Sequence, residues 1–122
     1  MLLVSARPGD EVVEALSRQL AERGVRDGAV VSLIGAVDAV AISNMPAHDA
    51  SADVITEYRQ PCELSGTGEI VDGVLHLHVV LGREGDVALA GHLHWAKVET
   101  FFVNAYVLAV LPWEVVDVRR DT

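Results

Sequence analysis

The sequence predicts an α+β fold: a compact single domain over residues 1–122, with a largely antiparallel or mixed β-sheet packed with one main α-helix at about residues 11–23. Three observations carry this. One segment alone places its apolar residues at helical spacing, while the other apolar segments alternate or run in short blocks, as strands do. Gly, Pro, Asn and Asp punctuate those blocks at short intervals, with no linker, repeat or low-complexity tract between them. A chain of 122 residues that is 51% hydrophobic is long enough for one sizeable core.

Taken in order, Leu2 to Ser5 reads as an opening strand, broken by Arg7-Pro8-Gly9. Asp10 is a suitable N-cap for the helix that follows, where Val12, Val13, Leu16 and Leu20 share one face. Glu11 and Glu14 suit the first turn, Glu14 and Arg18 form an i,i+4 pair, and Gly24 is a natural C-terminal stop. Ala29 to Ile34 and Ala36 to Ser43 then read as strands, with Gly35 between them marking a bulge, a bend or a close backbone approach. Residues 44–53 form a polar loop, expected to be the most mobile part of the chain. Val54 to Tyr58 and Cys62 to Ser65 are further strand candidates, Gly66-Thr67-Gly68 reads as a turn, and Asp72-Gly73 as another. Lys97 to Val110 is rich in Val, Phe and Tyr, and Val115 to Val118 is expected to close the sheet as an edge strand.

The formal net charge of −9, from 18 acidic against 9 basic residues, argues against nucleic acid as a partner of this chain alone, because phosphate binding relies on clustered Lys and Arg. Arg119-Arg120 reads as a solvated terminus. No apolar run reaches membrane-spanning length and no signal peptide is evident, so a cytoplasmic protein without a membrane partner is expected. The single cysteine, Cys62, rules out an intrachain disulfide and reads as a packing residue. A mean hydropathy of +0.32 is high for a small monomer, and points to a homo-oligomer.

The chemistry concentrates in residues 76–94, HLHVVLGREGDVALAGHLH. Residues i and i+2 of a strand share a face, so His76 and His78 point together, as do His92 and His94. A turn centred on Arg83–Gly85 would set His76 roughly opposite His92, gathering four imidazoles on one face. The other face would carry Leu75, Leu77, Val79, Leu81, Val87, Leu89 and Leu93. Polar residues on a solvated sheet would explain one His-x-His pair; two pairs in matching register favour a divalent metal, zinc first on ligand type. His76, His78 and His92 are assigned as ligands, leaving one coordination position open. His94 is read as supporting the site or as a substrate-facing base. Glu99 is a candidate general acid or base, with a solvated strand residue as the competing reading, and His48 reads as an ordinary exposed loop histidine.

Gly9-Asp10-Glu11, Ser32-Leu33-Ile34-Gly35-Ala36-Val37, Leu64-Ser65-Gly66, His76-Leu77-His78-Val79 and Gly91-His92-Leu93 occur in an order and spacing that resembles the plants-and-prokaryotes conserved (PPC) domain, over about residues 7–111. The resemblance implies a compact α+β domain, usually trimeric in prokaryotes, and similar in fold to acetolactate decarboxylase, where an HxH pair and a later His hold zinc. His76, His78 and His92 match those ligand positions. Plant members bind DNA through a separate basic AT-hook, and no Arg-Gly-Arg-Pro-like segment occurs in this sequence, so the DNA-binding role does not carry over. Ala90 stands where the family usually has the first glycine of Gly-Gly-His, and Ala105-Tyr106 lacks the acidic residue often found there.

The expected function is metal-assisted, lyase-type chemistry, such as decarboxylation or dehydration, on a small carbonyl or carboxylate compound in a homotrimer. The alternative is a non-catalytic trimeric interaction or regulatory module without intrinsic DNA binding.

Overall fold

Residues 1–116 are described in the structure, a computed structural model, and they realise the expected periods as eight strands and one α-helix. In chain order these are β1 (Leu2–Ala6), α1 (Val12–Glu22), β2 (Gly28–Val37), β3 (Ala39–Asn44), β4 (Val54–Tyr58), β5 (Cys62–Val71), β6 (Val74–Arg83), β7 (Val87–Lys97) and β8 (Val103–Ala109). One open sheet contains all of them in the order β1-β8-β2-β5-β6-β7-β3-β4, and every pairing between these strands is antiparallel. The α+β expectation holds, without a parallel component among the described residues.

Helix α1 buries Val12, Ala15, Leu16 and Leu20 and packs on β1, β6 and β7. On a flat sheet β1 and β7 would lie five strand spacings apart, about 24 Å, which exceeds the ~10–12 Å width of a helix. The sheet therefore curls around α1, and the enclosed face carries the core, including Leu33, Leu77, Leu81 and Val107. Each of these fully buried side chains contributes about 1.5–3 kcal/mol relative to exposure. No helix among the described residues is long and apolar enough to cross a membrane.

The helix start differs from expectation by one residue. Glu11, not Asp10, is the N-cap: its carboxylate accepts the N–H groups of Val13 and Glu14, each at 3.0 Å. The longer side chain also accepts the Ala96 N–H at 3.0 Å, so one group satisfies two orphan helix donors and ties α1 to β7. Asp10 instead accepts the Arg7 N–H in the preceding turn. Gly24 ends the helix as expected, at φ +71° with its N–H on the Ala21 carbonyl. The Glu14–Arg18 pair forms at 3.7 Å but is exposed, and contributes less than about 1 kcal/mol.

Gly35 is the close approach foreseen for it rather than a bulge. Strand β2 runs through it, and a Cβ at that position would lie 1.9 Å from the Phe102 carbonyl oxygen. The irregularity falls earlier, between Val30 and Leu33, where the register shifts against both β5 and β8. Gly66-Thr67-Gly68 is not a turn but the middle of β5. Its glycines serve strand proximity: a Cβ at Gly66 or Gly68 would meet the His78 or His76 carbonyl oxygen at 2.2 or 2.3 Å. The turn signal at Asp72-Gly73 is realised, with φ of +50° and +80° as a two-residue primed hairpin requires. Val115 and Val116 lie outside any strand, while residues 117 and 118 of the expected closing strand, and Arg119-Arg120, fall outside the described residues.

Candidate metal centre

Strands β6 and β7 form the histidine hairpin, closed at Arg83↔Val87 with Glu84, Gly85 and Asp86 as the turn. The centre lies at Gly85, one residue later than the sequence suggested, so His78, not His76, faces His92. A shift of the turn by one residue moves the pairing by two, which preserves the face of every side chain. The inner face carries buried Leu77, Val79, Leu81 and Leu93 with half-buried Leu75 and Leu89, whereas Val87 at the turn is exposed, contrary to expectation. The imidazoles are on the outer face: His76 and His78 are exposed and His92 is half-buried.

His76, His78 and His92 are brought together. One ring nitrogen from each lies within 4.8 Å of the others, and ring centroids are 4.8 Å apart for His76–His78, 4.7 Å for His76–His92 and 6.2 Å for His78–His92. Zinc held at about 2.0–2.1 Å by three tetrahedrally disposed nitrogens needs them about 3.4 Å apart. Small rotations of the exposed His76 and His78 rings would supply that contraction, so the donor set suits zinc or a similar divalent ion.

His94 adjoins the cluster but is outside the triad, with its ring nitrogen engaged elsewhere. Its Nε2 is 2.8 Å from the Ser43 hydroxyl, which engages this ring at the side of the cluster while leaving it 4.8 Å from His92 between centroids. A register shift between β3 and β7, with Ile42 facing Leu93 but Ala41 facing Trp95, places His94 at the irregularity. Ser43 is buried and sits opposite His92. Sequence inspection could not have found it, because its relevance comes wholly from strand register.

The triad opens onto a cavity of about 1400 Å³ whose walls come from β2, β3, β5, β6, β7 and the loop before β4. Asp53, at the end of that loop, is the one acidic side chain on its wall among the described residues. In the sequence it is one polar residue among several of the 44–53 loop, beside Asp49 and Ser51, with nothing to single it out. Glu99 is not on this wall: it follows β7, is exposed, and donates its backbone N–H to Asp38 at 2.6 Å. His48 is exposed and also off the wall, while Cys62 is buried in the core.

Desolvation, reinforced by the neighbouring His76, His94 and His78 and opposed by Asp53, holds the His92 pKa below the usual 6.5. The folded metal-free chain therefore takes up fewer protons than the unfolded one as pH falls through 6.5 toward that lowered value. Stability is lost over this window as acid is added. We expect the urea midpoint of metal-free protein to fall between about pH 7.5 and pH 5.5, and to fall less in His92→Gln. An unchanged difference between the two proteins across this range would remove the role of His92.

Comparison with known proteins places this geometry in context. A candidate DNA-binding protein from Bacteroides thetaiotaomicron is similar in structure, with a TM-score of 0.75, 28% identity and coverage of 88% of this chain and 76% of that one. A metal-containing protein from Archaeoglobus fulgidus matches with a TM-score of 0.69 and 26% identity, over 91% of this chain and 81% of the other. A plant- and prokaryote-conserved protein from Pyrococcus horikoshii shares the fold, with a TM-score of 0.75 at 18% identity over 89% and 79% of the two chains. No protein of curated function matches this sequence. The sequence pattern of the Plants and Prokaryotes Conserved (PCC) domain matches residues 1–112, which take in the whole described sheet, the helix and the three clustered histidines, and the chain belongs to that family.

Proposed function

We propose that this protein binds one divalent metal ion, zinc first, through His76, His78 and His92, and uses it for a lyase-type step on a small carbonyl or carboxylate compound. The observation that carries the reading is the convergence of the three imidazole nitrogens within 4.8 Å at the wall of an open cavity. Metal in the Archaeoglobus relative agrees with it. A bound ion would supply Lewis-acid polarisation of a substrate oxygen. The chain's own groups do the rest: the three imidazoles fix the ion, Ser43 orients His94, and His94 is placed beside His92 to hold or move a proton. Glu99, off the cavity wall, is left out of this role.

The reading includes self-association, as a trimer by family resemblance, since Leu3 and Leu108, away from the cavity, are each about half exposed. DNA binding is left out despite the description of the Bacteroides relative, because the formal charge is −9 and no Lys or Arg lines the cavity among the described residues. The same apolar surface supports the second reading, a non-catalytic oligomeric module.

Turnover separates the two. Zinc-reconstituted wild type, incubated with a panel of small oxo and hydroxy acids, is expected to release carbon dioxide or water from at least one, and His78→Ala to release neither. Bound zinc without turnover of any member would favour the module.

A further inference from the structure

Two parallel rows of side chains cross the outer face of the sheet. In the first, Thr67 faces His78, His78 faces His92 and His92 faces Ser43, so a hydroxyl flanks the metal-binding pair on each side. In the second, two residues further along the strands, Ile34 faces Ser65, Ser65 faces Val80 and Val80 faces Ala90. All of these line the histidine cavity, and Ile34 and Val80 are 54% and 47% exposed. The rows are separated by about 6.8 Å, and Ile34 lies two strands from Val80, about 10 Å across.

The charge on this wall is as informative as its shape. Apart from the histidines, Asp53 is its one ionisable side chain among the described residues, and Glu69 faces His76 just beyond it. Sites that take phosphate or two carboxylates commonly present Arg, Lys or a helix N-terminus to the anionic groups, and this wall of strands and one loop carries none of these among the described residues. Here a bound ion would be the only positive charge on the wall among the described residues. It matches one anionic head. A second anion would have to lie on Ile34 and Val80 or face Asp53, giving up hydration without gaining a partner.

We infer that the substrate is a small aliphatic compound with a single carboxylate or oxo-acid head and an uncharged tail, the head at the histidines and the tail reaching toward the row of Ile34, Val80 and Ala90 about 7 Å away. Dicarboxylates, phosphorylated compounds and nucleotides are selected against. This rests on the metal reading above and narrows it.

The test uses the zinc-loaded full chain and two acids that share an oxo-acid head but differ in the tail: the 2-oxo acid of leucine and the 2-oxo acid of glutamate. Titration calorimetry is expected to give the leucine-derived acid at least about tenfold the affinity of the other. Asp53→Lys, an exposed loop substitution, is expected to raise affinity for the glutamate-derived acid by about tenfold with zinc content unchanged. Equal or tighter binding of the glutamate-derived acid by wild type would overturn the inference while leaving the metal reading intact, and would point to a cation supplied from beyond this wall. Failure of zinc-loaded protein to bind either acid would overturn it as well. A wild type that holds no zinc removes the metal reading and this inference together.

Discussion

His78→Ala is expected to lower zinc affinity by more than about 100-fold while leaving the fold intact. Loss of a group that merely supports a ligand already costs about 10–100-fold, and loss of a ligand exceeds that. His78 is the informative position because it faces His92 across the hairpin and is exposed, so the substitution empties no part of the core. Its effect on the metal-free protein should stay within about 0.5 kcal/mol. Competition against a chelator of known affinity measures the first quantity, and urea unfolding of metal-free protein the second. His94→Ala is the control: with its Nε2 on Ser43, it should leave zinc affinity within about tenfold of wild type.

The largest expected effect on stability belongs to Gly35→Ala. The new Cβ would sit 1.9 Å from the Phe102 carbonyl oxygen and 2.8 Å from Val103 Cα, both backbone atoms. No rotamer change relieves a clash with backbone. The strand must move off β8, disturbing the Ala36 N–H bond to Phe102 at 3.0 Å and the Gly35↔Val103 pairing. A loss of about 3–5 kcal/mol is expected. Gly85→Ala provides the contrast. At φ +83° with nothing within 4 Å of the added Cβ, it carries only the left-handed backbone penalty of about 1–2 kcal/mol. Denaturant midpoints of the two variants should differ accordingly, and a Gly35→Ala protein within about 1 kcal/mol of wild type would refute the close approach.

These two sites also mark how far the sequence could be read. Gly35 was visible as an anomaly because a glycine inside a strand pattern implies either irregularity or proximity. Which of these it is depends on Phe102, a residue far along the chain. Gly66 and Gly68 were misread as a turn for the same reason: glycine signals both chain reversal and close strand packing, and local sequence does not separate them. Helix α1 was legible almost to the residue because its signals are local, and the one error, Asp10 for Glu11, arose because the cap is chosen by a partner on β7.

The three-histidine cluster survived an error in its own register. His76 was expected opposite His92 and His78 is found there, yet period-two alternation puts all three rings on the outer face either way. What alternation cannot supply is the neighbour beyond the hairpin. Ser43 comes from β3 and Asp53 from the loop before β4, and neither carries a sequence signal that distinguishes it from other polar residues nearby. Glu99 shows the reverse: proximity in sequence to the histidine strand did not become proximity to the cavity, because its backbone is drawn to Asp38 instead.

Metal content of the wild-type chain, purified without a histidine tag and reconstituted with zinc before exhaustive dialysis, tests the metal centre most directly. Elemental analysis by inductively coupled plasma mass spectrometry should return close to one divalent ion per chain, and far less for His78→Ala handled identically. A wild type that retains no more metal than His78→Ala would contradict a metal centre on His76, His78 and His92.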